Sequence, residues 1–175
     1  MLNNRLKIMI GDITSFTGDA IVNAANSTLL GGGGVDGAIH NAAGSQLLEE
    51  CMKLDGCPEG ESKITLGFDL PSKYVIHTVG PYWEGGQSNE RNTLTSCYQS
   101  SLELAAKHNV KRIAYPAISC GIFGFPVDSA SEIAINTTIE FINSNAIPEE
   151  ITFVCFGEAI YNAYTKTLNN HSELF

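Results

Sequence analysis

A chain of 175 residues with 43% hydrophobic residues can bury one full α/β core, and no part of it has the composition of a disordered segment. A formal net charge of −9 and only 10 Lys and Arg residues, which do not cluster, exclude a general nucleic-acid-binding surface, because such a surface needs a basic footprint. An acidic chain that binds a phosphate must therefore use backbone N–H groups and helix ends.

The N-terminal segment and the cysteines indicate the compartment. The apolar run within residues 1–12 is short and broken by Arg5 and Lys7, which does not fit a signal peptide, and no stretch approaches the roughly 20 apolar residues that a membrane span needs. The 5 cysteines form no CxxC motif and no metal-ligand spacing with the 4 histidines, which favours reduced thiols. We therefore expect a cytoplasmic protein without a metal site, a cofactor or a membrane contact.

The predicted elements alternate between strands and helices along the chain. Short apolar runs predict strands at residues 5–10, 20–22, 64–68, 74–79, 112–115 and 151–156. Apolar residues at helical spacing predict helices from residue 35, over 45–54, over 89–108, from 126 and over 158–169. This alternation is typical of a layered α/β fold. Since no repeat, low-complexity tract or linker divides the chain, we expect one domain over residues 1–175.

Polar and glycine-rich stretches follow four of the predicted strands, at residues 11–14, 23–36, 119–124 and 156–157. The four consecutive glycines in the second stretch let a ligand approach the backbone closely, and a predicted helix start beside them favours an anion. The third stretch offers successive N–H groups and a hydroxyl. Because ligands bind outside the carboxyl ends of strands in open α/β sheets, we predict that these loops converge and clamp a pyrophosphate.

Asp36 does not belong in a plain phosphate site, because its charge would repel a phosphate. One interpretation is that it caps the helix, since Asp is a favoured N-cap residue. The other is that it has a chemical task beside the ligand. The loop is neither a P-loop, because no Gly-Lys-Ser/Thr follows, nor the dinucleotide fingerprint GxGxxG. The residues alone leave both interpretations open.

Five other residues have plain structural interpretations. Asp12 is interpreted as a turn or cap residue, Asn26 as an Asx-turn residue and Phe156 as a core aromatic. His40 is interpreted as a packed or partly exposed helix residue, and His77, in a buried strand, as a core histidine with hydrogen-bond partners. No Ser-His-Asp or Cys-His combination can be assembled from the sequence.

Five sequence blocks, in this order, resemble the macrodomain family and specifically its MacroD-type branch. They are GDIT at 11–14, IVNAAN at 21–26, GGGGVDGAIHNAAG at 31–44, YVIHTVGP at 74–81 and PAISCGIFGFP at 116–126. The resemblance covers nearly the whole chain, from Lys7 to about Tyr164. It implies a three-layer α/β/α fold with a mixed central sheet that binds ADP-ribose.

The resemblance also implies roles for the loop residues. Asp12 would accept a hydrogen bond from the adenine amino group, with the Ile13 backbone and the Phe156 ring beside the base. Asn26 would orient the distal ribose, and Asp36 would polarise a water molecule beside it. Backbone N–H groups of both loops would hold the pyrophosphate: Gly33, Gly34, Val35, Ser119, Cys120, Gly121, Ile122, Phe123 and Gly124.

Cys120 stands where relatives commonly carry Thr. A cysteine nucleophile needs a lowered pKa and a base partner, and the sequence identifies no such partner. We therefore interpret Cys120 as a loop residue that contributes its backbone.

Two functions follow from the resemblance. The first is a hydrolase that cleaves ADP-ribose esters, either O-acetyl-ADP-ribose or mono-ADP-ribose on Asp and Glu side chains of proteins, by attack of a positioned water. Either Asp36 or the substrate's own phosphate would take the proton. The second is a non-catalytic reader of ADP-ribose, which has no use for Asp36. A binder of phosphate-rich metabolites or RNA ends would not need Asp12. The presence of Asp36 and Asn26 favours the hydrolase.

Overall fold

Six strands and five α-helices lie along residues 4–172, the part of the chain that this computed structural model describes. The strands are β1 (Leu6–Ile10), β2 (Ala20–Ala25), β3 (Ser62–Leu66), β4 (Tyr74–Val79), β5 (Arg112–Tyr115) and β6 (Glu150–Cys155). The helices are α1 (Gly34–Ala43), α2 (Ser45–Lys53), α3 (Glu90–Lys107), α4 (Val127–Ser144) and α5 (Glu158–Ser172). A short 3₁₀ turn, Ile13–Ser15, follows β1.

All six strands form one mixed sheet with the order β1-β6-β5-β2-β4-β3. Its neighbouring strands are parallel except β3, which pairs antiparallel with β4 at one edge. Parallel strands need crossover connections, and the helices supply them. The prediction of a mixed central sheet is confirmed.

Side chains of the sheet alternate between two buried cores because successive strand residues point to opposite faces. In β2, Ile21 packs in a core with residues of α1 and α2, whereas Val22 packs in a core with residues of α3, α4 and α5. Ile113 and Ala114 of β5 divide between the two cores in the same way. The sheet is therefore the middle layer of the expected three-layer α/β/α fold.

Two strands differ from their predicted bounds by more than one residue at an end. β2 extends to Ala25, three residues beyond the apolar run, because Asn23 continues the pairing with β4. β3 begins at Ser62 and ends at Leu66, where the sequence predicts a strand at 64–68. Phe68 has φ of 51° and the Gly67 N–H donates to the Lys73 carbonyl, so the chain turns there toward β4.

None of the helices in the described part of the chain is long and apolar enough to cross a membrane.

Candidate functional site

The carboxyl ends of β1, β6, β5, β2 and β4 meet at one edge of the sheet, because these strands are parallel. The loops that leave them, taken across the sheet, are residues 11–16, 156–157, 116–126, 26–33 and 80–89. The residues with a predicted site role lie in the first four of these loops or in the first turn of α1. The structure thus brings the predicted loops to one edge and adds the loop 80–89, for which the sequence predicts no role.

The first glycine loop leads into α1 with an open backbone. Gly33 is the N-cap residue, and a Cβ added to Gly33 or Gly34 would meet nothing within 4 Å. The N–H groups of the first helical turn have no earlier carbonyl to bind, so they are available to an anion at this edge. Gly34 has φ of 59°, a conformation that glycine adopts without strain.

Asn26 and Asp36 flank the glycine loop at Gly32. A Cβ added to Gly32 would lie 3.1 Å from Asp36 Oδ2 and 3.5 Å from Asn26 Nδ2. An amide donor and a carboxylate therefore face the same short stretch of backbone. A ligand group or a water molecule beside Gly32 would meet both of them.

Asp36 is almost fully buried, with 4% of its surface exposed. It lies in the first turn of α1, and its Oδ1 accepts a hydrogen bond of 2.8 Å from Asn23 Nδ2. His40 Nε2 lies 3.4 Å from the same oxygen but without the alignment of a hydrogen bond. The helix dipole and the Asn23 bond stabilise this buried carboxylate. Because the N-cap residue is Gly33, the interpretation of Asp36 as a helix cap is wrong.

Asn23 is a buried partner of Asp36 for which the sequence predicts no role. It is fully buried in β2, and its Nδ2 lies 3.1 Å from His77 Nδ1 on the neighbouring strand. The sequence signal for this role is an Asn inside an otherwise apolar run, because a buried amide needs hydrogen-bond partners.

His77 is a core histidine with hydrogen-bond partners, as the sequence predicts. Its Nε2 lies 3.0 Å from Thr65 Oγ1 and 3.8 Å from Cys51 Sγ. Burial, with a smaller contribution from His40, lowers the pKa of His77 to about 3. The imidazole is therefore neutral near pH 7.

The second glycine loop is fixed by Ser119, whose side chain turns inward. Ser119 has φ of 64°, and its hydroxyl donates to the Pro81 carbonyl at 2.8 Å. The hydroxyl that the sequence offers in this stretch thus links the loop to the start of the loop 80–89. The outer part of the loop is open: Ile122 is 82% exposed, and a Cβ added to Gly121 would meet nothing within 4 Å.

The loop 80–89 packs directly against the second glycine loop. The Trp83 N–H donates to the Phe123 carbonyl at 2.8 Å, and the Tyr82 ring lies 5.4 Å from the Phe123 ring. The Glu90 carboxylate accepts hydrogen bonds from backbone N–H groups of this loop, including that of Gly86 at 2.7 Å. Glu90, at the start of α3, thus fixes the conformation of the loop 80–89, which lies beside Phe123.

The Cys120 thiol is not set up as a nucleophile. Burial raises its pKa to about 12, so the thiol stays protonated near pH 7. This supports the interpretation that Cys120 contributes its backbone. The cysteines of the described chain are free, and within residues 4–172 no group of three or more His, Cys, Asp or Glu is placed to hold a metal ion.

Asp12 and Phe156 lie at the β1–β6 end of the edge. Asp12 caps the 3₁₀ turn, since its Oδ1 accepts from the Thr14 N–H at 2.9 Å and from the Thr14 hydroxyl at 2.7 Å. These bonds lower the pKa of Asp12. The cap interpretation is confirmed, and neither bond engages Oδ2. Phe156 is 90% exposed, so its interpretation as a core aromatic is wrong. The neighbouring Ile13 is buried.

Asn26 organises its own loop, which confirms the turn interpretation. Its Oδ1 accepts from the Leu29 N–H at 3.1 Å and from the Thr28 hydroxyl at 2.7 Å. Its Nδ2 donates to the Gly31 carbonyl at 2.8 Å. Only one of the two amide hydrogens is used by that bond, so the other remains available beside Gly32.

The fold and this edge define a class: a three-layer α/β/α protein with two glycine loops and a nearly buried carboxylate at the carboxyl ends of its parallel strands. A family model described as Macro domain matches residues 22–134. The chain belongs to the macrodomain family, which confirms the resemblance.

Several relatives and one solved structure are similar over most of the chain. A macro domain-containing protein of Methanosarcina mazei is 55% identical and covers 95% of this chain and 89% of its own length. A protein of Citrobacter rodentium named O-acetyl-ADP-ribose deacetylase is 49% identical, with 98% and 99% covered. A mutant of the Oceanobacillus iheyensis macrodomain, solved with ADPR, has a TM-score of 0.92 and 42% identity, with 96% and 94% covered.

Proposed function

We propose that this protein is a cytoplasmic, single-domain hydrolase that binds ADP-ribose and cleaves its esters. The observation that carries the proposal is Asp36: a carboxylate with 4% exposure in the first turn of α1, directly after the first glycine loop. A reader of ADP-ribose gains nothing from a negative charge there, whereas a hydrolase needs a group that positions and polarises water. The deacetylase name of the Citrobacter rodentium relative supports this assignment.

In this proposal the pyrophosphate lies between the two glycine loops. The first-turn N–H groups of α1, from Gly34 and Val35, bind it on one side. The backbone of residues 119–124 binds it on the other. Backbone donors suit this chain, because its net charge is −9 and its 10 Lys and Arg residues do not form a cluster. The Oceanobacillus iheyensis macrodomain solved with ADPR supports the same ligand.

The adenosine lies at the β1–β6 end of the edge. Asp12 Oδ2 accepts a hydrogen bond from the exocyclic amine of adenine, while Oδ1 keeps its bonds to Thr14. Phe156, whose ring is 90% exposed, covers one face of the base. The Ile13 backbone lies beside the ring.

The distal ribose and its ester lie at Gly32, between Asn26 and Asp36. Asn26 orients the ribose hydroxyls with its free amide hydrogen, and Asp36 holds the attacking water. Water adds across the ester, which releases the carboxylic acid and leaves a hydroxyl on the ribose. Where the ester is at the anomeric carbon, the water attacks that carbon, the bond from the carbon to the ester oxygen breaks and the carboxylate leaves. Where the ester is at a neighbouring hydroxyl, the water attacks the acyl carbon, the bond from that carbon to the ribose oxygen breaks and the oxygen takes up a proton. Both routes need a positioned water with modest base assistance and no covalent intermediate.

The finer part of the proposal concerns the substrate. The edge is open beyond Gly33 and Gly34, where an added Cβ would meet nothing, so an acyl group as large as a protein side chain can be accommodated. We therefore include mono-ADP-ribose on Asp and Glu side chains among the substrates. The test is to incubate the protein with O-acetyl-ADP-ribose and with glutamate-linked mono-ADP-ribosylated protein and to follow product release. Binding without turnover of either ester would instead identify a reader.

Saturating ADP-ribose is expected to raise the melting temperature. A ligand that binds only the native state adds RT ln(1 + [L]/Kd), about 2.7 kcal/mol at 100 times Kd, which corresponds to a shift of roughly 5–10 °C. Differential scanning fluorimetry with and without EDTA measures this shift. EDTA should not change it, and an unchanged melting temperature would contradict ADP-ribose binding.

Asp12→Ala is expected to weaken ADP-ribose binding by roughly 1.5–3 kcal/mol, the contribution of a hydrogen bond to a charged acceptor. Ribose 5-phosphate, which lacks adenine, should bind equally to both proteins. Isothermal titration calorimetry with the two ligands measures the difference. Asp12→Asn serves as the matched control, because its side-chain oxygen can keep the bonds to Thr14 while the charge is lost. Equal losses for both ligands would show that Asp12 only supports the turn.

A further inference from the structure

Three neighbouring strands each place one polar side chain on the face of the sheet that α1 and α2 cover. Asn23 of β2 and His77 of β4 are register partners. Thr65 of β3 pairs with Val75, two residues before His77, and therefore points to the same face. All three side chains are buried, and together they form a hydrogen-bonded series that leads to Asp36.

The groups at the two ends of this hydrogen-bonded series fix which partner donates in each bond. A carboxylate only accepts, so Asn23 Nδ2, 2.8 Å from Asp36 Oδ1, donates to it. The second hydrogen of Nδ2 points to His77 Nδ1 at 3.1 Å, which must then carry no proton. The imidazole proton is on Nε2 and is donated to Thr65 Oγ1 at 3.0 Å. The Thr65 hydroxyl donates onward to the Leu66 carbonyl at 3.0 Å.

Any other protonation state of His77 would break the hydrogen bond between Asn23 and His77. A proton on Nδ1 would face the Asn23 amino group, and two donors cannot bind each other. The amide would have to turn and present its oxygen to the Asp36 carboxylate. The groups that face His77 from the covering helices are His40 of α1 and Cys51 of α2, whereas Asp36 of α1 is linked to it through Asn23. Burial raises the pKa of Cys51 to about 11, so this thiol remains neutral near pH 7.

We propose that His77 is a positioning residue for the ester hydrolysis. As the Nε2–H tautomer it fixes the orientation of the Asn23 amide. The amide in turn holds the Asp36 carboxylate toward the attacking water of the proposed reaction. The inference rests on the proposed function, because it assigns Asp36 its task. His77 itself lies in the core and acts through Asn23.

The first test compares three substitutions of His77. In His77→Asn the side-chain oxygen takes the position of Nδ1, whereas in His77→Gln the amide takes the position of Nε2. His77→Phe keeps the ring without an acceptor. We expect kcat on O-acetyl-ADP-ribose to fall about tenfold in the Phe and Gln variants and at most about threefold in the Asn variant, the effect of one fixed hydrogen bond. KM should stay within about twofold. Equal losses in Asn and Gln, or none in Phe, would overturn the inference.

A double-mutant cycle tests whether His77 acts through Asn23. Asn23→Ala removes the link, so His77→Phe in that background should lower kcat no further. Independent, multiplicative losses would show that His77 affects the reaction by another route.

Thr78→Val is the matched structural control. Thr78 is buried beside His77 on β4, and its hydroxyl donates to the Glu61 carbonyl at 3.0 Å, away from Asp36. This variant should lose about as much stability as His77→Phe but keep kcat. A matching fall in kcat would show that loosening β4 suffices, which would overturn the specific role of His77.

Nuclear magnetic resonance tests the tautomer without substrate. Long-range ¹H–¹⁵N correlation of the wild type should show His77 as the Nε2–H form, because Nδ1 accepts from Asn23 and Nε2 faces Thr65. The form should stay neutral from pH 5 to 8, because burial lowers the pKa of His77 to about 3. An imidazolium or an Nδ1–H form would overturn the inference even if the enzyme is active. If the tautomer is as expected but the wild type hydrolyses no ester, the proposed function fails instead.

Discussion

Asp36→Ala is expected to lower the turnover of O-acetyl-ADP-ribose by about 10²–10⁴-fold, the usual contribution of a positioned acid–base group. ADP-ribose affinity should hold or improve, because removing a carboxylate near the bound phosphates relieves repulsion. Single-turnover kinetics and calorimetry measure the two effects separately. A large loss of turnover without a loss of affinity is what a hydrolase predicts for this residue.

Stability must be measured alongside, since the variant leaves the buried Asn23 amide without its acceptor. An unsatisfied buried amide costs about 1–3 kcal/mol, which urea unfolding can detect. Asp128→Ala is the matched control: Asp128 also lies in the first turn of a helix, α4, but it is exposed. It should keep full turnover. If a folded Asp36→Ala protein hydrolyses the ester at the wild-type rate, Asp36 has no part in the mechanism and the substrate's phosphate remains as the base.

Local patterns were sufficient to predict the layers of the fold. β4 and β5 have the predicted bounds because each is a short apolar run that ends at a glycine or a proline. The helices have apolar residues at helical spacing. Gly44, whose φ is 84°, follows the last residue of α1 and ends the helix. Such signals depend on neighbouring residues, so a single sequence contains them.

The contacts around Asp36 could not be predicted in the same way. Asn23 and His77 are 54 positions apart, and only the register of β2 with β4 brings them together. Sequence patterns specify which residues point inward but not which strand lies beside which. The same limit explains the inward turn of Ser119, whose partner Pro81 follows a different strand. The glycine loops were predicted because their chemistry is local to the backbone, and their ligand contacts stay predictions.

The second large effect is expected at Gly80, which connects β4 to the loop 80–89. A Cβ at this position would lie 2.4 Å from Ser119 Oγ and 2.8 Å from Ile118 Cγ2, closer than such atoms can pack. Gly80→Ala therefore requires Ser119 and Ile118 to move, which disturbs the bond from Ser119 to the Pro81 carbonyl and with it the second glycine loop. We expect a loss of about 1–3 kcal/mol in stability and a tenfold or larger loss of ADP-ribose affinity.

A second substitution tests whether the clash with Ser119 is the cause. Ser119→Ala removes the atom that lies nearest to the added methyl group, so the double variant Gly80→Ala/Ser119→Ala should regain part of the affinity that Gly80→Ala loses. Ser119→Ala alone loses only its bond to Pro81, about 1 kcal/mol. Calorimetry and urea unfolding of the three proteins give the comparison. A double variant no better than Gly80→Ala would show that the position of the second loop does not depend on the space at Gly80.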